Sequence, residues 1–280
     1  MFRKMLLILI LIHIVGDFYS QPDKLSREKE KSYKYVLIHS LIYSITCFLL
    51  IIIINDEWIK YVAIAASLQH FIVDTLKYFY IKKYKCNNDF KKIDGIIYAI
   101  DQAIHITIFI IIALIVVQEY SSITKRAIID KIFILAELSS YQVLKWITLI
   151  LFIGKPSNIT IKKLLQFYRP SANDLPLNNQ YKEKSLIIVE SKNSNNCKSQ
   201  VAITGDDKKA GGYIGFLERF IIVIFLAINQ YSAIGLILTA KSIARYDRIT
   251  NDQVFAEYYL LGTLLSTLLA IITYFMIFQY

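Results

Sequence analysis

The sequence predicts an all-α fold, a polytopic bundle of about seven or eight hydrophobic transmembrane helices with one small polar appendage. Three observations predict it. Apolar residues make up 55% of the 280 positions and fall in long runs separated by short charged stretches. Six of these runs approach the roughly 20 residues that a helix needs to cross a hydrocarbon core of about 30 Å. A soluble protein of this length could not bury them all. Finally, Lys and Arg are dense in alternate loops, as expected where positive loops stay in the cytoplasm.

The first run, 5–19, follows Arg3 and Lys4 and so begins like a secretory signal. It carries His13 and Asp17, however, and no small-residue cleavage pattern follows, which predicts a retained first helix. Runs 36–54, 59–80 and 96–117 supply the next three helices. The fifth, 135–153, is the weakest: Thr124-Lys125-Arg126 precedes it and it contains Glu137 and Lys145, so part of it suits the interface. The last run is 259–278.

Residues 154–212 are too polar for a bilayer. Asn178-Asn179 and Asn193-Ser194-Asn195-Asn196 read as loop, Ser185–Glu190 and Gln200–Thr204 as short strands, and Ile159–Phe167 as a helix lying on the surface. The run 216–240 reads either as one span or as a re-entrant hairpin broken at Asn229-Gln230-Tyr231. Each arm would then be about 13 residues, too short to cross. The hairpin returns Lys241, Arg245 and Arg248 to the cytoplasmic side, as the charge rule prefers. The expected organisation is a bundle over 1–153, a polar loop over 154–212 and a C-terminal membrane segment over 213–280.

A net charge of +10 raises the question of nucleic acid, but the distribution answers it. Loop 20–34 holds Lys24, Arg27, Lys29, Lys31 and Lys34, and loop 81–95 holds Lys82, Lys83, Lys85, Lys91 and Lys92, whereas 55–58 has no cation. The segment 155–215 is again lysine-rich. This pattern predicts a cell-membrane protein with its N-terminus outside and loops 20–34, 81–95 and 155–215 in the cytoplasm, bound to lipid and to no nucleic acid. Cys47, Cys86 and Cys197 form no CxxC pair and suggest no disulfide framework.

All four histidines lie inside apolar runs, and three share an i,i+4 spacing with aspartate: His13 with Asp17, His70 with Asp74, and Asp101 with His105. That spacing puts both side chains on one helix face. Along antiparallel helices these pairs alternate late, early, late, early, with His39 at the start of the second helix, so all seven reach one depth near the cytoplasmic side. An ionised carboxylate inside a span costs at least about 2.5–3.5 kcal/mol, and such groups face a bundle interior with a partner. Imidazole and carboxylate together are ligands for zinc, manganese or iron. The expected metal ligands are His13, Asp17, His70, Asp74, Asp101 and His105, with His39 as general base or a further ligand. Interhelical hydrogen bonding is the plainer alternative for any one of these histidines. A second set, Glu218, Arg219, Lys241, Arg245 and Glu257, is expected either to hold an anionic substrate group or to anchor helix ends.

Several of these residues fall in motifs. His13-x-x-Gly16-Asp17-Phe18-x-x-Gln21, Leu37-Ile38-His39-Ser40, His70-Phe71-x-x-Asp74 and Asp101-Gln102-x-x-His105 resemble the bacterial membrane-protein family catalogued as domain of unknown function 3307. In the C-terminal part, Gly215-Phe216-Leu217-Glu218-Arg219, Ala240-Lys241-Ser242-x-x-Arg245 and Glu257-Tyr258-x-x-x-Gly262-Thr263 are similar too. The resemblance implies a membrane bundle and no particular activity. From the residues, the expected function is metal-dependent hydrolysis of an anionic, lipid-like or small-molecule substrate. The rivals are a metal- or proton-coupled transporter using the same cluster, and an adaptor in which the cluster is structural.

Overall fold

The computed structural model describes residues 2–29, 31–54, 57–84, 90–119, 139–168 and 206–279, and every regular element among them is helical. In chain order these are α1 (Phe2–His13), a π-helical turn (Ile14–Tyr19), α2 (Asp23–Glu28), α3 (Tyr33–Ile54), α4 (Glu57–Tyr84), α5 (Phe90–Glu119), α6 (Ser140–Ile153), α7 (Lys155–Leu165) and a 3₁₀ turn (Gln166–Tyr168). Then follow α8 (Asp206–Ala227), α9 (Tyr231–Ile243), α10 (Tyr246–Asn251) and α11 (Gln253–Phe278). Glu137, Cys86, Cys197, the two short strands expected at 185–190 and 200–204, and the Asn-rich stretches lie outside the described residues.

Among the described residues, two helical stretches are long and apolar enough to cross a membrane, Asp94–Gln118 and Gln253–Phe278. Tyr33–Leu49 and Tyr231–Ile243 are apolar but shorter. Against the expected seven or eight, α1, α6 and α9 are only 12, 14 and 13 residues long, and α4 has 28 residues but is diluted by Gln69, His70, Asp74 and Lys77. The chain divides into two compact units, residues 1–160 with 276–280, and residues 161–275.

In the first unit, α3 lies on α4, α4 on α5, and α1 on both α5 and α6. The shared core is a layer of Met5, Ile8, Leu9 and Ile12 from α1, Tyr43 and Cys47 from α3, Val62, Ala63 and Ala66 from α4, and Phe109 and Ala113 from α5. Cys47 is a free, buried thiol. The same helices turn apolar side chains outward: Leu41, Ile45, Leu68, Leu76, Ile100 and Leu114 are each more than half exposed. Where α1 ends, the helix widens into the π-helical turn, and Gly16 there faces Tyr43. A Cβ at this position would come within 2.6 Å of the Tyr43 ring, so a side chain is excluded. Tyr19 at the end of the turn donates a hydrogen bond to the Leu151 carbonyl at 2.9 Å, tying it to α6.

Over the expected helix at 159–167 the chain forms α7 and the 3₁₀ turn, starting earlier at Lys155. In the second unit, α8 begins at Asp206, before the expected start of the apolar run. It ends at Ala227, and Asn229 takes a positive φ of 58° at the break before α9. Asparagine tolerates that left-handed conformation better than most residues. Lys241 of α9 then reaches back to Glu218 of α8 at 2.6 Å, so the two helices form an antiparallel hairpin.

Candidate functional site

The i,i+4 register that places Ile12, Tyr43, Ala66 and Phe109 in the apolar layer also sets the adjoining layer. One turn along each helix, His39, His70 and His105 follow with no exposed surface, and His13, Asp74 and Asp101 are buried with them. Asp17 enters from the π-helical turn. The first unit therefore brings together all seven His and Asp residues singled out by spacing.

Their geometry has a centre at His39. Its Nε2 lies 3.0 Å from His70 Nε2, 3.2 Å from Asp17 Oδ1 and 3.3 Å from Asp74 Oδ2. His70 Nε2 is 3.7 Å from Asp74 Oδ2 and 4.0 Å from Asp17 Oδ1. A four-coordinate ion with bonds of about 2.0–2.2 Å keeps its ligand atoms about 3.3–3.6 Å apart. Asp17, His39 and His70 thus approach the spacing of one metal site, with Asp74 Oδ2 3.3 Å from His39 Nε2. His39, expected mainly as a base, sits among the ligand candidates.

Beside this centre, His105 Nε2 lies 3.8 Å from Asp101 Oδ1. Asp74, Asp101 and His105 form a further group of potential ligands, as do His13, His70 and His105, each with its donor atoms within 4.8 Å of one another. Because these groups share His70, His105 and Asp74 with one another or with the first, they are arms of a single constellation.

Four neighbours not recognised from the sequence complete it. Gln69 Oε1 accepts from His105 Nδ1 at 3.3 Å, which leaves the His105 Nε2 lone pair free. Gln102 Oε1 accepts from His13 Nε2 at 3.2 Å and frees His13 Nδ1 in the same way. Such partners fix the tautomer of a ligating imidazole. Lys77 donates to Asp101 Oδ2 at 2.8 Å. Lys29, which follows α2, donates to Asp74 Oδ2 at 3.2 Å and lies 3.7 Å from Asp17 Oδ1. Burial works against the Lys29 ammonium, but Asp74 and Asp17 outweigh it and hold its pKa above the ordinary lysine value. Gln69 and Gln102 could have been found, since each adjoins a residue of the i,i+4 pairs. Lys29 carried no signal beyond belonging to a basic loop.

Buried polar atoms without partners mark where the constellation is unfinished. His13 Nδ1, Asp17 Oδ1, His39 Nδ1, His70 Nδ1, Asp101 Oδ1 and His105 Nε2 all lack a sound hydrogen bond. Each such atom costs on the order of 1–3 kcal/mol if nothing meets it. The His70 ring is held flat against Tyr43, with centroids 3.8 Å apart and planes at 10°.

The residues of the second set lie in the second unit. Glu218 pairs with Lys241, and the fully buried Arg219 donates to Ser266 Oγ at 3.1 Å. Lys241 and Arg245 both stand over the Tyr259 ring, at 5.6 and 5.9 Å. Glu257 instead accepts from Gln253 of its own helix at 3.2 Å.

Fold and cluster together define a helical protein with a buried layer of histidine and aspartate shared by α1, α3, α4 and α5. The family described as protein of unknown function (DUF3307) matches residues 5–134, and it is this region of the chain that is similar to the family. The match takes in all seven clustered residues and Lys29, Gln69, Lys77 and Gln102, while the motifs at 215–263 lie beyond it. No curated protein and no solved structure matches the chain.

Proposed function

We propose that this is a multi-pass membrane protein whose buried His/Asp centre binds a divalent transition metal and hydrolyses an anionic, lipid-like substrate near the cytoplasmic face. The observation that carries the reading is the convergence of Asp17, His39, His70 and Asp74, from two helices and a π-helical turn, around His39 Nε2. Ligand atoms from sequence-distant segments at that spacing are the ordinary construction of a metal site in a helical bundle. The inverted surface supports the membrane: polar residues are inside, and large apolar side chains of α3, α4 and α5 face outward. Exposed apolar area on that scale marks a membrane or partner surface.

A bound divalent ion would polarise a phosphoryl or carbonyl oxygen and generate hydroxide from water near neutral pH. The protein's own contributions are separate. Gln69 and Gln102 orient His105 and His13. Lys29 and Lys77 supply positive charge beside the carboxylates, suited to an anionic substrate group.

With the N-terminus outside, loops 20–34 and 81–95 fall in the cytoplasm. Single cysteines placed at Lys31, which is exposed in the same loop as Lys29, and at Lys83 are then expected to react with an impermeant maleimide only from the cytoplasmic side. Labelling of the two from opposite faces contradicts this topology.

Metal- or proton-coupled transport is the second reading, favoured by the π-helical turn, because transporters often place ion sites at helix irregularities and such turns gather at functional sites. Protein in liposomes separates the two. The hydrolase reading expects metal-dependent release of product from anionic phospholipid, lost in Asp74→Asn. Gradient-driven ion flux that depends on Asp74 and His105, without lipid turnover, overturns it in favour of transport.

A further inference from the structure

The C-terminal unit contains a cavity of about 1070 Å³ where α8, α9, α10 and α11 meet. Three cations line it, Lys241, Arg245 and Arg248, and their situations differ. Lys241 is neutralised by Glu218 at 2.6 Å. Arg245 lies over Tyr259, and Arg248 stacks on Phe255 with its guanidinium carbon 4.0 Å from the ring centroid. Among the described residues, neither arginine has a carboxylate within ion-pair distance, although Asp247 lines the same cavity.

We infer that this cavity binds a phosphate group, with Arg245 and Arg248 as its principal ligands. Guanidinium groups pair with phosphate in bidentate fashion and are less strongly hydrated than ammonium. The position of Arg245 over Tyr259 and the stacking of Arg248 on Phe255 restrain both side chains, which lowers the entropy lost on binding. The surroundings are amphiphilic. Ile243 and Tyr246, flanking the arginines, are 68% and 65% exposed, and Ile214 in the cavity wall is 49% exposed. Apolar surface beside a phosphate site suits a lipid headgroup whose acyl chains lie along α8 and α9. This binding does not depend on the metal reading and would stand without it.

The test uses full-length protein in nanodiscs of zwitterionic phosphatidylcholine containing a small fraction of spin-labelled phosphatidylglycerol. Wild type is expected to hold the labelled lipid selectively, and Arg245→Gln/Arg248→Gln to lower that selectivity by about tenfold or more, as expected for two lost charge-assisted contacts. Arg245→Lys/Arg248→Lys is expected to fall in between, because charge survives and the fork geometry does not. Lys162→Gln/Lys163→Gln, outside the cavity, controls for general surface charge. Inorganic phosphate added at millimolar concentration identifies the source. Failure to displace the lipid supports a headgroup site, and displacement supports one for a water-soluble phosphate compound. Equal retention by wild type and the double glutamine variant, or equal loss in the Lys162/Lys163 control, overturns the inference. Metal content measured on the same samples keeps this outcome apart from that of the proposed hydrolase.

Discussion

Lys29→Met is expected to destabilise the metal-free protein by about 3–5 kcal/mol, the usual cost of stripping the partner from a buried charge. Its ammonium lies 3.2 Å from Asp74 and 3.7 Å from Asp17, whose side chains are 4% and 11% exposed. Methionine fills similar volume but leaves two neighbouring carboxylates without a cation. Added zinc or manganese is expected to restore the loss, because a divalent ion takes over the neutralising function that Lys29 performs. The variant is also expected to bind metal more tightly than wild type, since no ammonium competes for the two oxygens. Thermal unfolding in detergent, with chelator and then with metal, reads both effects. A loss that metal does not reverse means that Lys29 serves a salt-bridge network alone.

The second large effect is expected at His39, whose Nε2 makes the three shortest contacts between histidine and aspartate side chains of the cluster or between two of its histidines. Losing an outer hydrogen-bond partner of a ligand already costs about 10–100-fold in metal affinity. His39→Ala, which removes a central donor, is expected to lose more than that and to abolish turnover. His13→Gln is the comparison, because His13 meets Gln102 at the margin of the cluster and its loss should be milder. Competitive titration against a fluorescent chelator gives both affinities. If His39→Ala and wild type titrate alike, the ligands lie elsewhere.

Much of this arrangement was legible in the sequence because it rests on helix periodicity. The i,i+4 pairs at 13/17, 70/74 and 101/105 fixed which faces turn inward, and antiparallel alternation fixed their common depth. The break in 216–240 was legible from Asn229-Gln230-Tyr231 for the same local reason. The π-helical turn was not, since the widening at Ile14–Tyr19 accompanies the fit of Gly16 against Tyr43 of another helix. Lys29 was hidden because its position depends on how α2 folds back, and in sequence it is one basic loop residue among five. The expected count of seven or eight spans is not matched, since two helical stretches among the described residues are long and apolar enough. His70, Asp74, Gln69 and Lys77 lower the apolar character of α4 while building the buried layer.

The metal content of wild-type protein purified in detergent without chelator tests the central claim most directly, measured by elemental analysis beside His70→Ala. Wild type is predicted to carry about one or two equivalents of zinc, manganese or iron per chain, removable by chelator, and His70→Ala to carry little. A wild-type protein without transition metal that also fails to take it up on addition, or full occupancy in both proteins, would contradict the account.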